Sequence, residues 1–236
     1  MPTNETTDFP RARSRRIRSF VLRAGRLTAG QKKALDEYGH KFCIARRKDE
    51  LDLAECFGRQ APVTLEIGFG TGDNLVDMAA AAPERDFIGI EVHRPGVGHC
   101  LLRTVGEGLT NVRLIEDDAV EVLQQSIPDG SLARVNLFFP DPWHKKRHHK
   151  RRIVQVEFVE LVARKLQPEG LFHVVTDWPG YAEHIAAVMA DCPVFEPLRE
   201  PPADRPVSRF DTRGQRLGHN NWERAWCNRS KLPISG

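Results

Sequence analysis

The chain has 236 residues, of which 40% are hydrophobic and 28% charged, enough to bury a substantial core as one domain with appendages. Five cysteines without a CxxC pair, in a chain too long to need disulfide staples, predict reduced thiols and a cytoplasmic location, and the amino terminus lacks the apolar segment of a secretory signal. No run approaches about 18 uninterrupted apolar residues, which excludes a membrane-spanning helix, and the formal net charge of +3 is spread unevenly.

Residues 1–16 are polar, Pro- and Arg-containing and unpatterned, and Arg11, Arg13, Arg15, Arg16, Arg18, Arg23 and Arg26 crowd this end. They predict a flexible basic arm over 1–27, either a solvated tail or an RNA-contacting segment, followed by a single domain over 28–236. A helix is expected from an N-capping Thr28 through Lys33, Leu35 and Tyr38, with Gly39 as its terminator. The β-rich run Val63–Ile67 feeds Gly68-Phe69-Gly70-Thr71-Gly72 and then the helical pattern Leu75, Val76, Met78, Ala79. Glycine has no Cβ, so such a turn lets backbone amides and a helix amino terminus approach a ligand. A strand over 86–91 ends in Glu91, about 20 residues beyond the glycines, where it would meet ribose hydroxyls or serve as an ordinary strand-end carboxylate. A helix over 95–105 leads to the strand Val112–Ile115 and to Asp117-Asp118, which reads as a helix N-cap or as a contact to an adenine amino group.

A strand over 134–139, a helix over 153–166 closed by Pro168-Glu169-Gly170, a strand over 171–176 and a helix over about 181–190 complete the series. Five strand–helix alternations predict a doubly wound, mostly parallel α/β sheet of Rossmann-like type with right-handed crossovers. Segments 194–198 and 222–226 are expected to add one or two antiparallel strands at its edge, with a Pro-rich linker between them.

The fourth strand runs into Pro140-Asp141-Pro142-Trp143 and then at once into Lys145, Lys146, Arg147, Lys150, Arg151 and Arg152. Two prolines stop the ladder and hold one carboxylate at the carboxyl edge of the sheet, where ligands bind in such folds. A carboxylate, an indole and dense positive charge on one rim suit a nucleobase on a phosphate backbone. For Trp143, Trp178 and Phe210 a core-packing role is at least as well founded as base stacking. His144, His148 and His149 are interleaved with cations, which disfavours a metal.

Two cofactors compete for the glycine turn. A dinucleotide fingerprint wants a third glycine where this chain has Asp73. Glu66-Ile67-Gly68-Phe69-Gly70-Thr71-Gly72 supplies the wider turn preferred by S-adenosylmethionine sites, and nearby carboxylates repel a pyrophosphate but tolerate a sulfonium.

The chain resembles the bacterial tRNA (guanine-N7)-methyltransferase family. The likeness runs from Ile17-Arg18-Ser19-Phe20 through 65–75, Gly89-Ile90-Glu91-Val92-His93, the string FFPDPWHKKRHHKRR and Thr176-Asp177-Trp178 to the late segment 205–219. That resemblance implies methylation of guanine N7 in the tRNA variable loop with S-adenosylmethionine. It implies Glu66, Gly68, Gly70, Glu91, Asp118 and Asp141 as cofactor contacts and Asp141 as the catalytic residue. It implies Lys145, Asp177, Ser208, Arg209, Phe210 and Asp211 as substrate contacts, and Arg147, Lys150, Arg151 and Arg152 as RNA-facing cations. The family has Thr, Lys, Phe, Glu where this chain has Ser208-Arg209-Phe210-Asp211, which alters hydrogen-bond reach. Two rival readings are an NAD(P)-dependent oxidoreductase, which lacks its third glycine here, and an inactive RNA-binding protein, against which every motif carboxylate is retained.

Overall fold

Strand β1 (Val63–Ile67) lies at the centre of the sheet, flanked by β2 (Asp86–Ile90) and β4 (Leu132–Phe138), in a computed structural model that describes residues 18–21, 25–45, 49–207 and 221–230. With β3 (Val112–Ile115), β5 (Leu166–Thr176), β6 (Phe195–Pro197) and β7 (Trp222–Asn228), the described residues form a seven-stranded sheet in the order β3-β2-β1-β4-β5-β7-β6. The first five strands are parallel, and β7 and β6 each pair antiparallel with their neighbour. The expected doubly wound sheet is present, with two antiparallel strands at one edge.

Buried parallel strands are apolar on both faces, and β1 and β2 are buried at every position. One face is covered by α1 (Ala29–Phe42), α3 (Asp73–Ala81) and α4 (Arg94–Gly106), whose Phe42, Leu75, Met78 and Leu101 pack on Phe87 and Leu114. The other carries α5 (Ala119–Gln125), α6 (Val156–Lys165) and α7 (Pro179–Ala190) over Leu65, Ile88, Val135 and Phe172. A short α2 (Leu53–Phe57), absent from the sequence expectation, precedes β1.

Thr28 caps α1 through a reciprocal capping box with Gln31, as its position predicts. The helix does not stop at Gly39. It continues to Phe42, whose side chain is 3% exposed, because burying that ring outweighs the cost of an interior glycine. The expected turn at Pro168-Glu169-Gly170 is also different. β5 begins directly after α6 at Leu166, and residues 167–170 bulge out between the paired Leu166 and Leu171, with Glu169 at φ 64°. No helix among the described residues is long and apolar enough to cross a membrane. Of the expected arm, 1–17 and 22–24 lie outside the described residues, as do Ser208, Arg209, Phe210 and Asp211.

Candidate active site

The order of connection reverses at β1, since β2 lies on one side of it and β4 on the other, so the carboxyl ends of β1 and β4 open a crevice. Gly68 after β1 and Asp141 after β4 line the same cleft there, with Glu91, Asp117 and Asp118 from the ends of β2 and β3. Its remaining walls include Ile67, Leu137, Phe138, Phe139 and Ile153, and the space between them, counted out to the open mouth, is roughly 630 Å³.

The turn after β1 needs its glycines. Gly68, Gly70 and Gly72 take φ of 71°, 60° and 80°, in the left-handed region that favours glycine. A Cβ on Gly96 would meet the Gly70 carbonyl oxygen at 2.1 Å, so α4 approaches the turn only because position 96 has no side chain. Glu91 ties these parts together. Its Oε2 accepts from the Gly70 amide at 2.9 Å, and Oε1 accepts from the Val92 and His93 amides at 2.7 and 2.9 Å. A carboxylate has about four acceptor positions, so Glu91 keeps capacity for a hydroxyl in the cleft. Of the two readings of Asp118, the N-cap of α5 is present, its Oδ1 accepting from Val120 N at 3.0 Å, and the residue also lines the cleft.

Asp141 is exposed and sits between two strained residues, Phe139 at φ 50° and Trp143 at φ 48°. Asp141 Oδ1 accepts from the Trp143 amide at 3.1 Å, which pins the carboxylate to the turn. The Trp143 indole is buried and donates to Ser19 O at 3.0 Å, and Ser19 and Phe20 form a strap along the cleft.

A family model described as a putative methyltransferase matches residues 60–224. A tRNA (guanine-N(7)-)-methyltransferase of Pseudomonas putida (strain W619) is 53% identical over 224 residues, covering 92% of this chain and 93% of that protein. One from Cronobacter sakazakii is 57% identical over 215 residues, covering 89% of this chain and 90% of its own. This chain belongs to the tRNA (guanine-N7-)-methyltransferase family. Among solved structures, the 16S rRNA methyltransferase KamB superposes with a TM-score of 0.53 at 14% identity, covering 78% of this chain and 97% of that one. The aminoglycoside resistance methyltransferase NpmB1 gives 0.52 at 15% identity over 75% and 92%. These two show the fold.

The cleft of this methyltransferase fits S-adenosylmethionine. Its walls among the described residues carry four carboxyl groups and neither lysine nor arginine, which repels a pyrophosphate and suits a sulfonium beside an ammonium. Nothing lies within 4 Å of a Cβ built on Gly68, so the backbone there faces open space.

Two expected contacts are placed elsewhere. Glu66 does not line the cleft: Ile67 does, and alternation along β1 turns Glu66 to the opposite face, where it is 3% exposed beside Gly89 and Asn136. Burial pushes its carboxyl up to about 8 against the attraction of Arg134 and Arg205, and Oε2 has no hydrogen-bond partner. Arg152 is 4% exposed rather than RNA-facing. It donates to Pro142 O and Gly180 O, both at 3.0 Å, and its guanidinium lies over the Tyr181 ring at 4.8 Å, so it fastens the rim to α7. Arg151 stacks on Trp143 at 3.9 Å and donates to Arg18 O and Phe20 O at 3.0 and 2.8 Å. Lys145, Lys146, Arg147 and Lys150 stay exposed, the last three on a 3-10 helix over Lys146–Arg151. Asp177 is half-buried at the end of β5, next to Trp178, whose ring meets His144 at 4.3 Å.

The sequence reading missed a buried polar network on β4, β5 and β7 built from Arg134, His173 and Glu223. An arginine inside an otherwise apolar strand was the available signal, since a buried guanidinium requires partners.

Proposed function

We propose that this protein transfers the methyl group of S-adenosylmethionine to N7 of a guanine in the variable loop of tRNA, in the cytoplasm. The observation that carries the reading is the convergence of the glycine turn and Asp141 on one acidic cleft, with an exposed cationic segment following Asp141 in the chain. Glu91 receives the ribose hydroxyls, Asp118 the adenine side, and the Gly68–Gly70 backbone the methionine part. Glu66 contributes from behind the turn, as part of the layer on which it rests.

S-adenosylmethionine held there would supply an electrophilic methyl carbon, whose bond to sulfur would break as its bond to guanine N7 forms, with the sulfur departing as a neutral thioether. Guanine N7 carries its lone pair at neutral pH, so no base has to remove a proton first. The chain's task is alignment, and alignment supplies most of the acceleration. Asp141 faces the positive charge that develops on the purine and stabilises it, with the carboxylate fixed in advance by the Trp143 amide. Lys145 and Asp177, with Ser208, Arg209, Phe210 and Asp211, hold the base and its nucleotide. The exposed Lys146, Arg147 and Lys150 grip phosphates, which gives affinity with little sequence information.

The test is incubation with unmodified tRNA and a labelled methyl donor, followed by mapping of the modified nucleoside. N7-methylguanosine at one variable-loop position is expected. Label at another atom or in another loop rejects the assignment.

A further inference from the structure

The part of the sheet beneath β4, β5 and β7 that faces the α3 side is lined by charge. Alternation places Arg134, Asn136, His173 and Glu223 on this one face. Arg134 is 2% exposed and engaged on every side. Its Nη1 donates to both Asp204 oxygens at 2.7 and 2.8 Å, its Nε to Asn136 Oδ1 at 2.7 Å, and its Nη2 to His173 Nδ1 at 2.6 Å. An arginine nitrogen always donates, so Nδ1 of His173 accepts and the imidazole proton resides on Nε2. That nitrogen donates to Glu223 Oε1 at 2.8 Å, and Glu223 also accepts from Arg205 Nε and Nη2 at 3.1 and 3.0 Å.

These contacts end at the active site. The Arg205 guanidinium lies over Phe138 at 5.7 Å and Phe139 at 6.0 Å, and His173 meets Phe138 edge-on at 5.1 Å. Both phenylalanines line the cleft, and Phe139 holds the strained φ of 50° two residues before Asp141. A left-handed bulky residue persists only where its surroundings over-determine it. Replacing a buried charged network by apolar side chains of similar volume is often neutral in stability, because desolvating charges offsets most of what their pairing returns. What the charged network adds is direction.

We propose that Arg205, held by Glu223 and through it by His173 and Arg134, is a positioning residue that braces the Phe138-Phe139 turn and thereby aims Asp141. The inference rests on the methyltransferase reading above and deepens it. Arg205 touches no reacting atom; it acts through the shape of the turn.

The test is a double-mutant cycle in the full chain, begun once the wild type has been shown to form N7-methylguanosine in tRNA. Arg205→Ala and Glu223→Gln are made alone and together with Asp141→Asn, and kcat and KM are measured for tRNA and for S-adenosylmethionine. Each single variant is expected to lower kcat about tenfold with KM for the methyl donor within about twofold, and to add less than about twofold to the loss in Asp141→Asn. Losses that multiply in the double variants overturn the inference, as does unchanged kcat in both single variants or a KM for the methyl donor that rises in step. Glu223→Gln preserves volume, so it carries the test if Arg205→Ala fails to fold. A wild-type chain that methylates no tRNA guanine defeats the functional reading and this inference together, whereas an active wild type with multiplying losses defeats this inference alone.

Discussion

Glu66 and Asp141 come near the carboxyl ends of neighbouring strands, β1 and β4, yet only Asp141 lines the crevice, and their surroundings give them different work. Asp141 is exposed in a fixed turn, so Asp141→Asn keeps its shape and its acceptor for the Trp143 amide while removing the charge. Loss of that charge is expected to lower kcat by about 100-fold with the fold intact, the scale of removing one preorganised electrostatic partner. Near-normal turnover in single-turnover assays would show that charge at 141 is dispensable. Glu66 instead holds a proton in the folded chain, because burial raises its carboxyl from 4.5 to about 8. Below about pH 4.5 the group is protonated in both states and contributes its full stability. As pH rises toward about 8 the unfolded chain gives up the proton and the folded chain keeps it, so stability falls by roughly 1.4 kcal/mol per pH unit, and the slope ends above that pH. Glu66→Gln removes this slope. Thermal melts of the variant are expected to match the wild type near pH 5 and exceed it near pH 8; parallel curves would place the proton elsewhere.

At the scale of elements, the glycine turn works only because α4 can lie against it. Gly96→Ala drives a Cβ to 2.1 Å from a backbone oxygen, which cannot move aside as a side chain would. The variant is expected to lose about 1–3 kcal/mol in denaturant unfolding and to bind S-adenosylmethionine more weakly in calorimetry, through displacement of the Gly70 to Glu91 bond. Unchanged affinity would uncouple α4 from the site. Core elements were legible where a β-rich run such as Val63–Ile67 feeds a glycine turn and where Thr28 offers a helix N-cap. Pro168-Glu169-Gly170 misled because a Pro-Glu-Gly string signals a helix end in isolation, while the bulge depends on which leucines pair across β4 and β5. Motif spelling placed Glu66 in the cleft, whereas the period of two along β1 sets Glu66 and Ile67 on opposite faces and Ile67 is the one that lines the cleft. Arg152 reads as one more cation in its run, and only its bonds to Pro142 and Gly180 separate it from the exposed ones.

Over the whole molecule, a net charge of +3 hides a division of labour between an acidic cleft and a basic rim. In the proposed function the two regions face different ligands and respond differently to salt. Phosphate contacts release condensed counterions, so the logarithm of RNA affinity falls with the logarithm of salt by about 0.7–0.9 for each phosphate neutralised. Lys146, Arg147 and Lys150 are exposed on the segment that follows the Asp141 turn, and the proposed function makes them the phosphate-facing set. Changing all three to alanine is expected to weaken tRNA binding and to flatten the salt dependence by about 2–3 units of slope, with methyl-donor affinity unaltered. Arg152→Ala is the internal contrast. Its guanidinium spends its donors on Pro142, Gly180 and His149, so its removal is expected to lower the melting temperature while leaving the salt slope of the folded protein in place. Binding titrations at a series of salt concentrations distinguish the two classes of arginine and lysine. A slope that drops for Arg152→Ala and holds for the triple variant would move the RNA from the exposed rim to the α7 side of the crevice.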